Sequence, residues 1–68
     1  MTLTLTFREL ENLLLADGWK LKNVRGSHYQ YIHPIKHSKV TVPRHKGIIP
    51  KGTVNNILKQ AELKDMLT

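Results

Sequence analysis

Arg25-Gly26-Ser27-His28-Tyr29-Gln30-Tyr31-Ile32-His33-Pro34 reads as a glycine turn followed by a strand. Asn23 to Ser27 is the expected turn, with Gly26 as the residue that takes positive φ. Two tyrosines and an isoleucine follow, all strong strand formers, and Pro34 ends the run because it cannot donate to a ladder. The strand expected is His28 to His33. Side chains alternate along it, so His28, Gln30 and Ile32 share one face while Tyr29, Tyr31 and His33 share the other.

Working outward, both flanks carry the same period. Upstream, Trp19 and Leu21 alternate with Lys20 and Lys22 in a half-buried strand. Downstream, Pro34 to Ser38 makes a second turn, and Lys39-Val40-Thr41-Val42 alternates again until Pro43. Three strands joined by short turns form an antiparallel meander.

Helical periods bracket the meander. Thr6 and Glu9 form a capping-box pair, Leu5 and Leu10 have the spacing of a hydrophobic staple, and Phe7, Leu10 and Leu14 follow at helical spacing, with Gly18 as the stop. The first helix is expected from Phe7 to Asp17. Met1 to Leu5 alternates Thr and Leu, as a short edge strand or a tail would. At the other end Arg44 to Ile49 reads as a basic loop, loosened at Gly47. Pro50 opens a second helix with an apolar stripe of Val54, Ile57, Leu58 and Ala61. Leu63 to Leu67 either extends that helix or adds one more turn.

The element order is α-β-β-β-α, an α+β fold filling residues 1–68 as a single small domain. One apolar sheet face needs a cover, and two amphipathic helices supply it from one side of the three-stranded antiparallel sheet. Trp19, Leu21, Tyr29, Tyr31, Val40 and Val42 then point inward. Lys20, Lys22, His28, Gln30, Lys39 and Thr41 point outward, with Ile32 as the misfit. The open face is thus basic, polar and centred on His28.

Charge distribution sharpens this picture. The net charge is +6, yet from Gly18 to Ala61 there is no Asp or Glu, while Lys20, Lys22, Arg25, Lys36, Lys39, Arg44, Lys46, Lys51 and Lys59 all lie there. Such a field suits a polyphosphate partner, above all a nucleic acid. Its bland counterpart is a solvated basic surface that serves solubility. The chain has no cysteine, which removes disulfides and thiolate metal sites from consideration. It shows no basic leader with an apolar core and no run of membrane-spanning length, so a cytosolic location is expected.

The candidate site is the open face. Chemistry on a phosphodiester needs one group to take a proton, one to give a proton to the leaving oxygen, and cations around the phosphate. His28 suits either proton transfer. Lys20, Lys22, Arg25 and Lys39 are placed to clamp phosphate, Ser27 stands beside His28, and His45 sits in the basic loop where it can help hold the same partner. The competing reading makes His28 an ordinary exposed strand residue. His33, before a proline and on the inward register, reads as a hydrogen-bonded structural group, and His37 as solvated. No metal site is expected: His33 and His37 have i,i+4 spacing, but Pro34 lies between them. No cofactor is expected either. Trp19, Tyr29 and Tyr31 read as core rather than stacking platforms. Ser27 and His28 lack an acidic third member and point to opposite faces, so they do not read as a nucleophile pair.

Gly18-Trp19, Arg25-Gly26-Ser27-His28, Tyr31, His33-Pro34, Thr41-Val42-Pro43, His45, Pro50-Lys51-Gly52-Thr53 and Ile57-Leu58-Lys59-Gln60-Ala61 together resemble the HicA family. Its members are small bacterial mRNA interferase toxins of type II toxin–antitoxin systems. The likeness runs in order and at matching spacing from Thr6 to Ala61. It implies a fold like a double-stranded-RNA-binding domain, cleavage of mRNA, and an inhibiting antitoxin of the HicB type. The family's catalytic histidine, in its Gly-Ser-His motif, maps onto His28. One departure concerns the end of the second helix, where the family often has glycine after the Gln-Ala pair and this chain has Glu62.

Two other functions compete. A non-catalytic RNA-binding module of the same fold carries a lysine cluster at the start of its second helix, whereas Pro50 to Asn56 contains only Lys51. A protein-interaction module would use the basic face for an acidic partner. Degradation, intact binding or indifference of RNA, with chelator present, separates the three.

Overall fold

Thr6 begins the first helix as its pattern requires. The backbone N–H of Thr6 donates to Glu9 Oε1 (2.9 Å), and the Glu9 N–H donates to Thr6 Oγ1 (3.2 Å). The computed structural model describes residues 5–63. In it α1 spans Phe7–Ala16 and buries Phe7, Leu10 and Leu14. The helix closes in a Schellman turn: Gly18 N–H donates to Leu15 O and Trp19 N–H to Leu14 O, with Gly18 at φ 103°.

The meander consists of β2 (Lys20–Arg25), β3 (His28–Ile32) and β4 (Val40–Pro43), antiparallel in the order β2-β3-β4. Four expected boundaries are corrected, the first being the start of the first strand, which lies at Lys20 rather than Trp19. The first strand continues to Arg25 instead of turning at Asn23, leaving a tight turn at Gly26-Ser27 with Gly26 at φ 58°. An irregularity between Leu21 and Asn23 inserts one extra residue, Lys22, into that strand. The central strand stops at Ile32, before His33, and the last begins at Val40 rather than Lys39.

A short edge strand ending at Leu5 was one expectation, but its pairing with a second strand inside the basic loop was not. β1 (Leu5–Thr6) pairs antiparallel with β5 (Ile48–Ile49), which lies inside the expected loop Arg44 to Ile49. The pairing sets Leu5 opposite Ile49, and Ile49 is fully buried. Two-residue strands have too little pattern to be legible, and this pair joins segments far apart in the chain.

α2 (Lys51–Gln60) follows Pro50, and Val54, Ile57, Leu58 and Ala61 all lie in the core. It too ends in a Schellman turn, with Leu63 N–H donating to Leu58 O and Glu62 N–H to Lys59 O. Glu62 takes φ 57°, the left-handed conformation that glycine tolerates best. Leu63 packs against the core. The expectations for Met1 to Thr4 and for Lys64 to Leu67 lie outside the described residues.

Both helices cover one face of the meander. Phe7 of α1 meets Tyr29 edge to face at 5.0 Å, Glu11 of α1 accepts a hydrogen bond from the buried Tyr31, and α2 packs on β4. The cover stops short of the edge strand. Leu21, opposite Tyr31 and hence on the inward face, is 46% exposed, which corrects its expected burial. Val24, opposite Tyr29, is likewise exposed. Two ten-residue helices do not reach across all three strands.

The loop from His33 to Lys39 is tied to both helix ends. His33 Nε2 donates to Asp17 O (2.7 Å), and its Nδ1 accepts from the Ile35 and Lys36 N–H groups (3.0 and 3.1 Å). This set of bonds selects the Nε2–H tautomer. Lys36 Nζ reaches Asp17 Oδ2 and Ala61 O, and Trp19 Nε1 donates to the same Asp17 oxygen (3.2 Å). His33 is thus a structural cross-link at the end of the sheet away from His28.

Candidate functional site

The extra residue in β2 decides what faces His28. Without it, Lys20, Lys22 and Val24 would share the open face. With it, the rows across the sheet become Lys20–Ile32, Asn23–Gln30–Thr41 and Arg25–His28–Pro43. Arg25 is brought directly opposite His28 on one side, and Pro43 stands opposite on the other. Directly opposed residues have Cβ atoms about 4.5–5.5 Å apart, so a guanidinium and an imidazole share one patch of surface. None of the residues in these rows is acidic.

Local sequence explains the exposure of His28. It is the first residue of β3, immediately after the Gly26-Ser27 turn, where positive φ at the first central position alone matches a type II′ hairpin. Ser27 is exposed in that turn, and its carbonyl accepts from the Arg44 N–H (2.6 Å), fastening the hairpin to the end of β4. His28 itself is exposed.

The other expected site residues disperse. Lys20 pairs with Ile32, four residues along β3 from His28 and so roughly 13 Å away along the strand. Lys39 precedes Val40, the partner of Tyr31, and therefore lies at that same far end. Lys22 is the inserted residue of the irregularity and is exposed. The structure thus brings Arg25 and Ser27 to His28, and leaves Lys20 and Lys39 as a separate basic row.

His45 is elsewhere again. It lines a cleft of about 330 Å³ together with Thr6, Phe7, Arg8, Glu11, Arg44, Lys46 and Gly47. The Arg44 guanidinium sits 5.1 Å over the Phe7 ring, a cation–π contact that orients it. Arg8, Arg44 and Lys46 were not singled out from sequence. Arg44 and Lys46 were visible as loop cations, but nothing local showed that Arg8 would join them.

Tyr31 has a displaced titration. Burial comes first, reinforced by its hydrogen bond to Glu11 Oε2 (2.5 Å) and by that carboxylate's charge, and together they raise the phenol well above its ordinary range. Trp19 and Tyr31 are buried and Tyr29 is half-buried against Phe7, which places these rings in or against the core. Among the described residues no three His, Cys, Asp or Glu side chains are grouped so as to hold a metal ion. No helix among them is long and apolar enough to cross a membrane.

No curated protein matches the chain. The model of a family described as the HicA toxin of bacterial toxin–antitoxin systems matches residues 7–63, from the first residue of α1 to the residue that closes α2. The match takes in the hairpin with His28, the loop with His45 and both helices, so this chain belongs to the HicA family of toxins of bacterial toxin–antitoxin systems.

Proposed function

We propose that this toxin is a metal-independent endoribonuclease that cleaves mRNA, with His28 transferring the proton. The observation that supports this reading best is the row Arg25–His28–Pro43: an exposed imidazole beside a guanidinium on a face without carboxylates. A 2′-hydroxyl gives its proton to His28 or to a partner base, and its oxygen attacks the adjacent phosphorus. The bond to the 5′-oxygen breaks, and that oxygen takes a proton as it leaves, from water or, where another base has taken the first proton, from His28. Arg25 is the cation near enough to hold the phosphate oxygens while charge builds on them. Ser27 offers a hydroxyl and an N–H at the hairpin. Lys20, Lys22 and Lys39 bind the backbone of RNA lying along the sheet, and His45 contributes from the loop.

Inhibition follows from the same geography. An antitoxin of the HicB type stops the reaction by covering the open face, and acidic side chains on it would pair cations that are costly to bury alone. A substrate of mRNA puts the action in the cytoplasm.

The test is cleavage of RNA by purified wild-type and His28→Ala protein, with chelator present and melting curves taken alongside. The variant is expected to stay folded, within about 0.5 kcal/mol of wild type because the residue is exposed. Its rate should fall roughly 10²-fold or more. A folded His28→Ala protein that cleaves at the wild-type rate overturns the proposal.

A further inference from the structure

The cleft between the start of α1 and the β4–β5 loop lies outside the open sheet face, and its lining is unlike the rest of the surface. Arg8 comes from the helix, while Arg44, His45 and Lys46 come from a loop far along the chain. Tertiary folding has therefore gathered three permanent cations and an imidazole around one concavity. Like charges repel, and the single carboxylate in the lining, Glu11, offsets only part of the excess. An anion entering this cleft would relieve that repulsion.

Three further features narrow the ligand. The cleft measures about 330 Å³, at the lower end of the range for small-ligand pockets, so it suits a single monomer unit rather than a folded element. The Arg44 guanidinium is held over the Phe7 ring at 5.1 Å, and an oriented guanidinium is a surface on which a base can stack. Glu11 repels a bare anion but accepts from hydroxyl and amino groups. Tyr31 occupies its Oε2, and among the described residues its Oε1 accepts no hydrogen bond. A nucleotide carries phosphate, base and such donors in one unit.

The cleft also adjoins the reaction centre. Pro43 pairs with His28, and the next residue, Arg44, donates its N–H to Ser27 O (2.6 Å). A strand of RNA whose scissile phosphate lies at His28 can pass over this junction and reach the cleft with a neighbouring nucleotide.

We propose that the Arg8–Arg44–Lys46 cleft is a subsite for a nucleotide flanking the cleavage point, which grips its phosphate and stacks its base. The proposal rests on the ribonuclease reading above. It makes the enzyme favour single-stranded RNA that extends beyond the cut over the minimal unit that contains it.

The experiment compares an oligoribonucleotide with a dinucleotide, using wild type and an Arg8→Ala/Lys46→Ala variant, both of whose substituted side chains are exposed. Two readouts are taken: kcat/KM for each substrate, and affinity for noncleavable 2′-deoxy forms by fluorescence anisotropy over a salt series. The expected result is that the variant's preference for the oligomer over the dinucleotide falls roughly tenfold in both readouts. The salt slope for the oligomer should fall by about 0.7 for each phosphate that the variant no longer grips. A variant that keeps the wild-type preference overturns the subsite, including the case in which it loses affinity only for an acidic antitoxin. If wild type cleaves neither substrate, the ribonuclease reading fails, and the anisotropy ratio still decides the cleft.

Discussion

His33 fills the space that a side chain at residue 18 would need: a Cβ on Gly18 would stand 2.9 Å from His33 Nε2. That nitrogen donates to Asp17 O, so the imidazole cannot retreat without losing a bond that ties the end of β3 to the end of α1. Gly18 also has φ 103°, where a Cβ is strained whatever the space. Gly18→Ala should therefore destabilise the fold by at least about 2 kcal/mol. In a domain this small that corresponds to a fall in Tm of roughly 10 °C, read by thermal unfolding. A shift of only a degree or two would show that His33 yields easily.

The opposition of Arg25 and His28 yields a prediction about position along the sheet. Arg25→Ala and Lys39→Ala each remove one cation, but only Arg25 faces His28. The Arg25 variant should lose kcat, by about tenfold or more, because the cation acts on developing phosphate charge. The Lys39 variant should chiefly raise KM and lower the salt dependence of binding. Equal kcat values for the two would mean that the row across the hairpin end has no special role.

Alkaline stability should report on Tyr31. Its phenol is raised by burial and by Glu11 in the folded state, whereas in the unfolded chain it ionises near its ordinary value of about 10. The folded protein therefore holds that proton where the unfolded chain releases it. The contribution to stability is complete below about pH 10 and is lost as the pH rises beyond it. Tyr31→Phe should be less stable at neutral pH by about 1–2 kcal/mol, because it cannot donate to Glu11. Its stability should then decline less than that of wild type between about pH 9 and 11. Parallel curves of unfolding free energy against pH would refute the assignment.

Glu62 is a place where the chain can be improved. It occupies the left-handed position of the Schellman turn that ends α2, at φ 57°. Glycine avoids the Cβ clash there, so Glu62→Gly should stabilise by about 1 kcal/mol and raise Tm by roughly 4–8 °C. The residue is exposed and distant in sequence from the His28 hairpin, so RNA cleavage should be unaffected. A lower Tm would indicate that the Glu62 side chain contributes something its backbone conformation conceals.

Both helices and the three-stranded meander were legible in the residues because each rests on a local signal. Thr6 and Glu9 cap within one turn, Phe7, Leu10 and Leu14 repeat at helical spacing, and Tyr29 and Tyr31 alternate with His28 and Gln30. The HicA family likeness rested on residues spread from Thr6 to Ala61, and the family match over residues 7–63 bears it out. Structural bonding for His33 was legible as well, since a histidine on the inward register before a proline needs partners.

Other features needed the whole fold. The irregularity at Lys22 has no mark in an alternating pattern of lysines and leucines, yet it decides that Arg25 rather than Val24 shares the face of His28. The exposure of Leu21 depends on where two short helices end, not on its own alternation. The β1–β5 pair and the cleft joining Arg8 to Arg44 and Lys46 bring together segments that no local period connects. Local periodicity sets which side chains share a face, because it follows from backbone geometry alone. Register, coverage and neighbourhood across the chain come from packing, which only the folded molecule settles.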